Sequence, residues 1–113
     1  LGLRRSDMAN PWRGEVALVL DGQRHVARLT LGALAELEET MLSDTLVDLV
    51  ARFDTGDYSS RDVLAIVVAG LRGGGWNGQA LDLMSVDIEG GPIAAAKAAA
   101  RLLASAFALP EAS

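Results

Sequence analysis

The sequence predicts an α+β domain, mainly α, in which an N-terminal β-hairpin packs on a small bundle of about five helices arranged around one central apolar helix. Three observations carry this reading. Residues 14–30 alternate with a period of two about Asp21-Gly22, the chain beyond them falls into segments of helical period, and residues 59–75 are apolar on nearly all sides. In that last stretch Val63, Leu64, Ile66, Val67, Val68 and Leu71 cannot share one stripe of a helix, so partners must cover more than one face.

The hairpin follows from Asp21-Gly22, which suits a two-residue turn because both central residues need positive φ. A turn there sets the register Leu20 to Gln23, Leu18 to His25, Val16 to Ala27 and Glu15 to Arg28. Val16, Leu18, Leu20, Ala27 and Leu29 then share the face that packs. Glu15, Arg28 and Arg24 lie on the wet side.

Thr30 is the expected N-cap of a first helix that buries Leu34, Leu37 and Met41. Ser43 is expected to cap a second, with Leu46, Leu49, Val50 and Phe53 as its stripe, an exposed Asp48–Arg52 pair and Gly56 as its end. Ser59, with Asp62 three residues on, caps the central helix, and Gly73-Gly74-Gly75 stops it after Arg72. Asn77 is expected to cap a short helix that turns Leu81 and Met84 inward. A loop over 86–91 leads to Pro92 in the first turn of the last helix, which runs to about Ala108. Its alanines are expected to let neighbouring backbones come close, with the heavier contacts from Leu102, Leu103, Ala106 and Phe107, and Lys97 and Arg101 towards solvent. Residues 1–12 read as a flexible leader, 13–109 as a single globular domain, and 110–113 as a loose tail.

Composition narrows the function. Ten Lys plus Arg against fifteen Asp plus Glu give a net charge of −5, a sign that opposes nucleic-acid binding. No apolar run approaches the ~18 residues of a membrane span, and the leader lacks the apolar stretch of a signal peptide. The absence of Cys removes disulfides, thiolate metal sites and cysteine nucleophiles, which fits a reducing cytoplasm. With one His and one Tyr, few groups for acid-base chemistry are present, so no enzyme and no catalytic residue is expected.

Three features suggest chemistry and are better read as structure. Gly73 to Gly78 match the spacing Gly-x-Gly-x-x-Gly, yet a dinucleotide fingerprint follows a strand, and here a helix precedes it. No cofactor is expected. His25 has no Ser or Cys pattern to activate. Glu36, Glu38, Glu39, Asp44 and Asp48 are spread around two helices as a solvated face, so no metal is expected, although such a face can steer a basic partner. Trp12 and Trp76 lie in connections, where tryptophan either covers the core edge or forms a binding hot spot.

Four segments in order, RGEVALVLDG at 13–22, LTLGALAELE at 29–38, RDVLAIVVAGLRGGG at 61–75 and IEGG at 88–91, carry a resemblance. The chain resembles a family encoded in the tail modules of gene transfer agents, phage-like particles of α-proteobacteria, and of related prophages. The resemblance implies a cytoplasmic tail assembly chaperone that binds the tape-measure protein, the tail-tube protein or both; the alternative it implies is a tail-tube-associated structural subunit. A homo-oligomer is left open, and no functional residue is carried over. A chaperone needs an exposed apolar surface, expected at the perimeter of the central helix and the Trp76 turn, through Trp76, Trp12, Leu71 and Val68. The hairpin edge is a second candidate.

Overall fold

The computed structural model describes residues 14–41 and 45–107. Two strands, β1 (Glu15–Leu20) and β2 (Gln23–Arg28), are followed by five helices: α1 (Leu31–Thr40), α2 (Leu46–Thr55), α3 (Ser60–Gly73), α4 (Ala80–Met84) and α5 (Gly91–Ala106). The hairpin has the expected antiparallel register, from Leu20↔Gln23 to Glu15↔Arg28. Its turn takes φ of 50° at Asp21 and 81° at Gly22, the positive pair that a right-twisted hairpin requires. Val16, Leu18, Leu20 and Ala27 are buried together.

Helix α3 is the centre of the structure. It packs against β2, α1, α4 and α5, and its Ile66, Val67 and Leu71 are among the most deeply buried side chains with Leu37, Leu49 and Leu102. Each side chain of this size contributes about 1.5–3 kcal/mol by leaving water. The Ser59 Oγ accepts from the Asp62 amide at 3.1 Å and the Asp62 carboxylate accepts from the Ser59 amide at 3.0 Å, so the helix start is closed from both sides.

Several local expectations are corrected. In α1, Thr30 caps as expected, its Oγ1 3.1 Å from the Ala33 amide, but Ala33 and Leu37 are the buried residues, while Leu34 and Met41 are half-buried. Thr45 is the N-cap of α2, because Asp48 three residues on completes a reciprocal pair of bonds, at 3.2 and 3.1 Å. Ser43 itself lies outside the described residues, as do residues 1–13 and 108–113, which take in the expected leader (1–12) and tail (110–113). Leu49 is buried, with Leu46, Val50 and Phe53 packed at the edge of the core, and Gly56 ends the helix at φ 81°. Arg52 reaches Asp62 on α3 in place of Asp48, since Asp48 is already held in its cap.

Gln79, not Asn77, precedes α4, and the Asp82 carboxylate accepts from its amide at 2.8 Å. The helix is short and rotated, so Leu83 is its buried residue, while Leu81 and Met84 are 79% and 67% exposed. The last helix meets its neighbours through Ala95, Ala98, Ala99, Leu102 and Leu103; Phe107 lies past its end at Ala106 and is exposed. Small alanines let α5 approach closely, which moves the contact towards its N-terminal half. Lys97 and Arg101 face solvent as expected.

Both hairpin edges meet other parts of the chain. A two-residue turn makes Leu20 and Gln23 a hydrogen-bonded pair, so by alternation Val26 and Arg28 turn their carbonyls away from β1. The end of α3 abuts those carbonyls: a Cβ on Gly73 would lie 2.1 Å from the Arg28 oxygen, and one on Gly74 1.9 Å from that of Val26. On the other edge Ile88 bridges to Leu20, the Glu89 amide donates to the Val19 carbonyl at 3.0 Å, and the Asp21 carboxylate accepts from the Asp87 amide at 2.9 Å. The 86–91 stretch, expected as a plain loop, therefore ties the turn end of β1. The edge is a poor template for another strand there.

Candidate docking groove

A groove of about 770 Å³ runs between the first half of α3, α4 and the start of α5. Val63, Leu64 and Val67 of α3 form one wall, Leu83 and Met84 of α4 another, and Pro92 and Ile93 of α5 the third. Ala95 and Ala96 line its floor with small side chains, so the trough stays open along α5. Pro92 in the first turn of α5 aims the helix from the Ile88 bridge, and Gly90 and Gly91, at φ 89° and 72°, make the turn that carries the chain there.

The groove wall is apolar and exposed at once. Tyr58, Met84 and Ile93 are 38%, 67% and 70% exposed, and all three line it. Tyr58 is set in place by stacking on Phe53, ring centroids 4.3 Å apart and 6° from parallel. Behind it the Arg52 guanidinium donates through Nε and Nη2 to the two Asp62 oxygens, each at 2.9 Å, and locks α2 to the start of α3. Those bonds hold the Asp62 carboxyl below its ordinary value, against the opposing effect of partial burial. Asp87 is the only Asp, Glu, Lys, Arg or His among the lining residues. Apart from Tyr58, Ser59, Ser60 and Asp87 the lining side chains are apolar.

Among the described residues expected to form a docking surface, Leu71, Val68 and Trp76 do not line one cavity. Leu71 is fully buried in the core and cannot touch a partner in this fold. Val68 is half-buried in a separate cleft of about 240 Å³ beside Leu37 and Ala69. Trp76 packs against the core edge and over Gly78, beside a more polar depression in which Arg72 donates to Glu36 at 3.0 Å and to the Gly78 carbonyl at 3.1 Å. Trp12 lies outside the described residues. Of the groove residues Tyr58, Met84 and Ile93, Met84 carried a sequence signal: the five residues of α4 hold Leu81, Leu83 and Met84, more apolar side chains than one face of so short a helix can bury.

The glycine run ends a helix and closes on a strand edge, which leaves no strand–loop–helix phosphate cradle there. Among the described residues no helix is long and apolar enough to cross a membrane, and no group of three or more His, Asp and Glu side chains stands ready to hold a metal ion.

Comparison with curated proteins and with solved structures finds no match. The sequence does match the family described as "Phage tail tube protein, GTA-gp10" over residues 13–109, which takes in every described element from β1 to α5. The chain therefore belongs to this gene transfer agent and phage tail family, and its role is tail-associated.

Proposed function

We propose that the chain helps to build a phage-type tail by binding other tail proteins, with no reaction of its own. In the primary reading it is a structural subunit associated with the tail tube. The single observation that carries this is the family match across residues 13–109, under a description that names the tail tube. The bacterial cytoplasm, where such particles are put together, is the expected location, and a net charge of −5 argues for protein partners over nucleic acid.

The groove supports a second reading, the tail assembly chaperone. A protein that keeps a long helical client such as the tape-measure protein soluble must offer an apolar surface to it while remaining folded. Met84 and Ile93 do so beside Val67 and Leu83, which stay buried in the core. The two readings differ in where the chain ends up. Quantitative mass spectrometry of purified particles and of the lysate separates them: the primary reading expects a fixed ratio to the tube protein in the particle. Abundance in the lysate with none in the particle overturns it in favour of the chaperone.

A further inference from the structure

We propose that Asn77 is a site of spontaneous covalent modification, where the side-chain amide is lost to attack by the backbone nitrogen of Gly78. The sequence has two asparagines, Asn10 and Asn77. Asn10 precedes Pro11, whose nitrogen carries no hydrogen and cannot close on the side chain before it. Asn77 precedes a glycine, so no Cβ screens the attacking nitrogen. In the reaction the Gly78 nitrogen bonds to the Asn77 Cγ, the Cγ–Nδ2 bond breaks, and the amide proton leaves with Nδ2 as ammonia. Water then opens the cyclic imide at either carbonyl. One product is aspartate; the other is isoaspartate, in which the main chain runs through the former side chain.

The structure leaves this pair open to the reaction. Trp76 is tied back through its amide, which donates to the Leu71 carbonyl at 2.9 Å, and Gln79 through its amide on the Asp82 carboxylate at 2.8 Å. Between those anchors Asn77 and Gly78 belong to no helix or strand, and Asn77 is exposed. Among the described residues neither the Asn77 side chain nor the Gly78 amide has a hydrogen-bonding partner, so the two can turn towards each other without breaking a bond. The Asp21-Gly22 pair is different. Its carboxylate already accepts from the Asp87 amide at 2.9 Å, and it has no ammonia to lose.

The fold itself demands the reactive neighbour. A Cβ at residue 78 would run into the Trp76 ring, which excludes the larger side chains that would slow the attack. The products act on the same turn. Arg72 donates to the Gly78 carbonyl at 3.1 Å and to Glu36 at 3.0 Å, and a carboxylate at residue 77 lines the depression that holds this pair, where it competes with Glu36 for the guanidinium. Isoaspartate also adds a main-chain carbon just before Gly78, which draws Gly78 out from beneath Trp76.

The test ages the full chain beside a synthetic peptide of residues 74–80 in the same buffers, then follows the tryptic peptide Gly73–Lys97 by mass spectrometry. The expected result is a gain of about 1 Da confined to Asn77, at a rate within about tenfold of the free peptide, because the loop needs no unfolding to react. The rate is expected to rise from about pH 6 to about pH 8, since the attacking nitrogen must give up its proton, and Asn77→Ser is expected to abolish the gain. Slower conversion than that, a gain at another residue, or no rise with pH overturns the proposal. The separated isoaspartate form is expected to have redder tryptophan emission than Asn77→Asp, which carries the charge without the extra carbon. Equal emission from the two overturns the displacement of the Trp76 turn.

Discussion

Replacing Gly73 by alanine sets two well-known effects against each other. Gly73 is the last residue of α3, and helix propensity alone predicts that alanine stabilises the protein by up to about 1 kcal/mol. The tertiary structure predicts the reverse. The new Cβ would lie 2.1 Å from the Arg28 carbonyl oxygen and 3.2 Å from the Ala33 methyl, whereas carbon and carbonyl oxygen ordinarily settle at about 3.3 Å or more. Helix and strand must therefore part by roughly 1 Å, and the obstacle is main chain, which cannot swing aside. Overpacking of this kind costs about 3 kcal/mol at the upper end of its usual range. The balance is a loss of about 2 kcal/mol, which lowers the melting temperature of a domain this size by about 8 °C. Gly70→Ala is the internal control: its Cβ would meet the end of the Leu102 side chain, Cδ1 at 2.7 Å, which a small rotation relieves, and the Ala27 Cβ at 3.3 Å, which needs only a few tenths of an ångström of give, so the cost is expected to be smaller than that of Gly73→Ala. Thermal melts followed by circular dichroism measure both. A Gly73→Ala protein as stable as the parent, or more so, refutes the close approach of α3 to the β2 edge.

Two further predictions concern stability. Because Arg52 holds the Asp62 carboxyl below its ordinary value, the folded state binds that proton less readily than the unfolded chain does. Its contribution is therefore complete above the unfolded value of about 4 and is lost as the pH falls through the lower folded value, so urea midpoints of the parent and Asp62→Asn should differ at pH 6 to 7 and draw together as the pH falls below about 4. A difference that does not shrink on acidification removes the ion pair from the account. In α4, Leu83→Ala should cost about 2 kcal/mol or more and Leu81→Ala less than about 0.5 kcal/mol, measured in the same titrations; the opposite order would mean that α4 turns Leu81, not Leu83, into the core.

What was legible in the sequence was local. Asp21-Gly22 sets a two-residue turn, and strict alternation then leaves a single register that buries Val16, Leu18 and Leu20. Thr30 and Ser59 cap helices through bonds spanning three residues, which no distant part of the chain can alter. The pairing of Thr45 with Asp48 carried the same signal and outcompetes Ser43 because it closes the start of α2 from both sides. The centrality of α3 was legible too, since so many apolar residues around one helix demand cover on several faces.

Less was legible wherever elements meet. The apolar residues of α4 fit more than one rotation, and contact with α3 chose the one that buries Leu83 and leaves Met84 on the groove wall. Trp76 and Leu71 are large and apolar, features that suit a core edge or a docking surface alike, and their burial depends on neighbours distant in the chain. Tyr58, Met84 and Ile93 are far apart in sequence and share no periodicity, so nothing local announces that they line one trough.

The sequence by itself determined the elements, their order, the hairpin register and most helix starts, because turn dihedrals and capping bonds are settled within a few residues. Only the tertiary structure decided that Gly73 and Gly74 must lack a Cβ and where the apolar groove opens. Both depend on distances between segments that meet only once the core has formed.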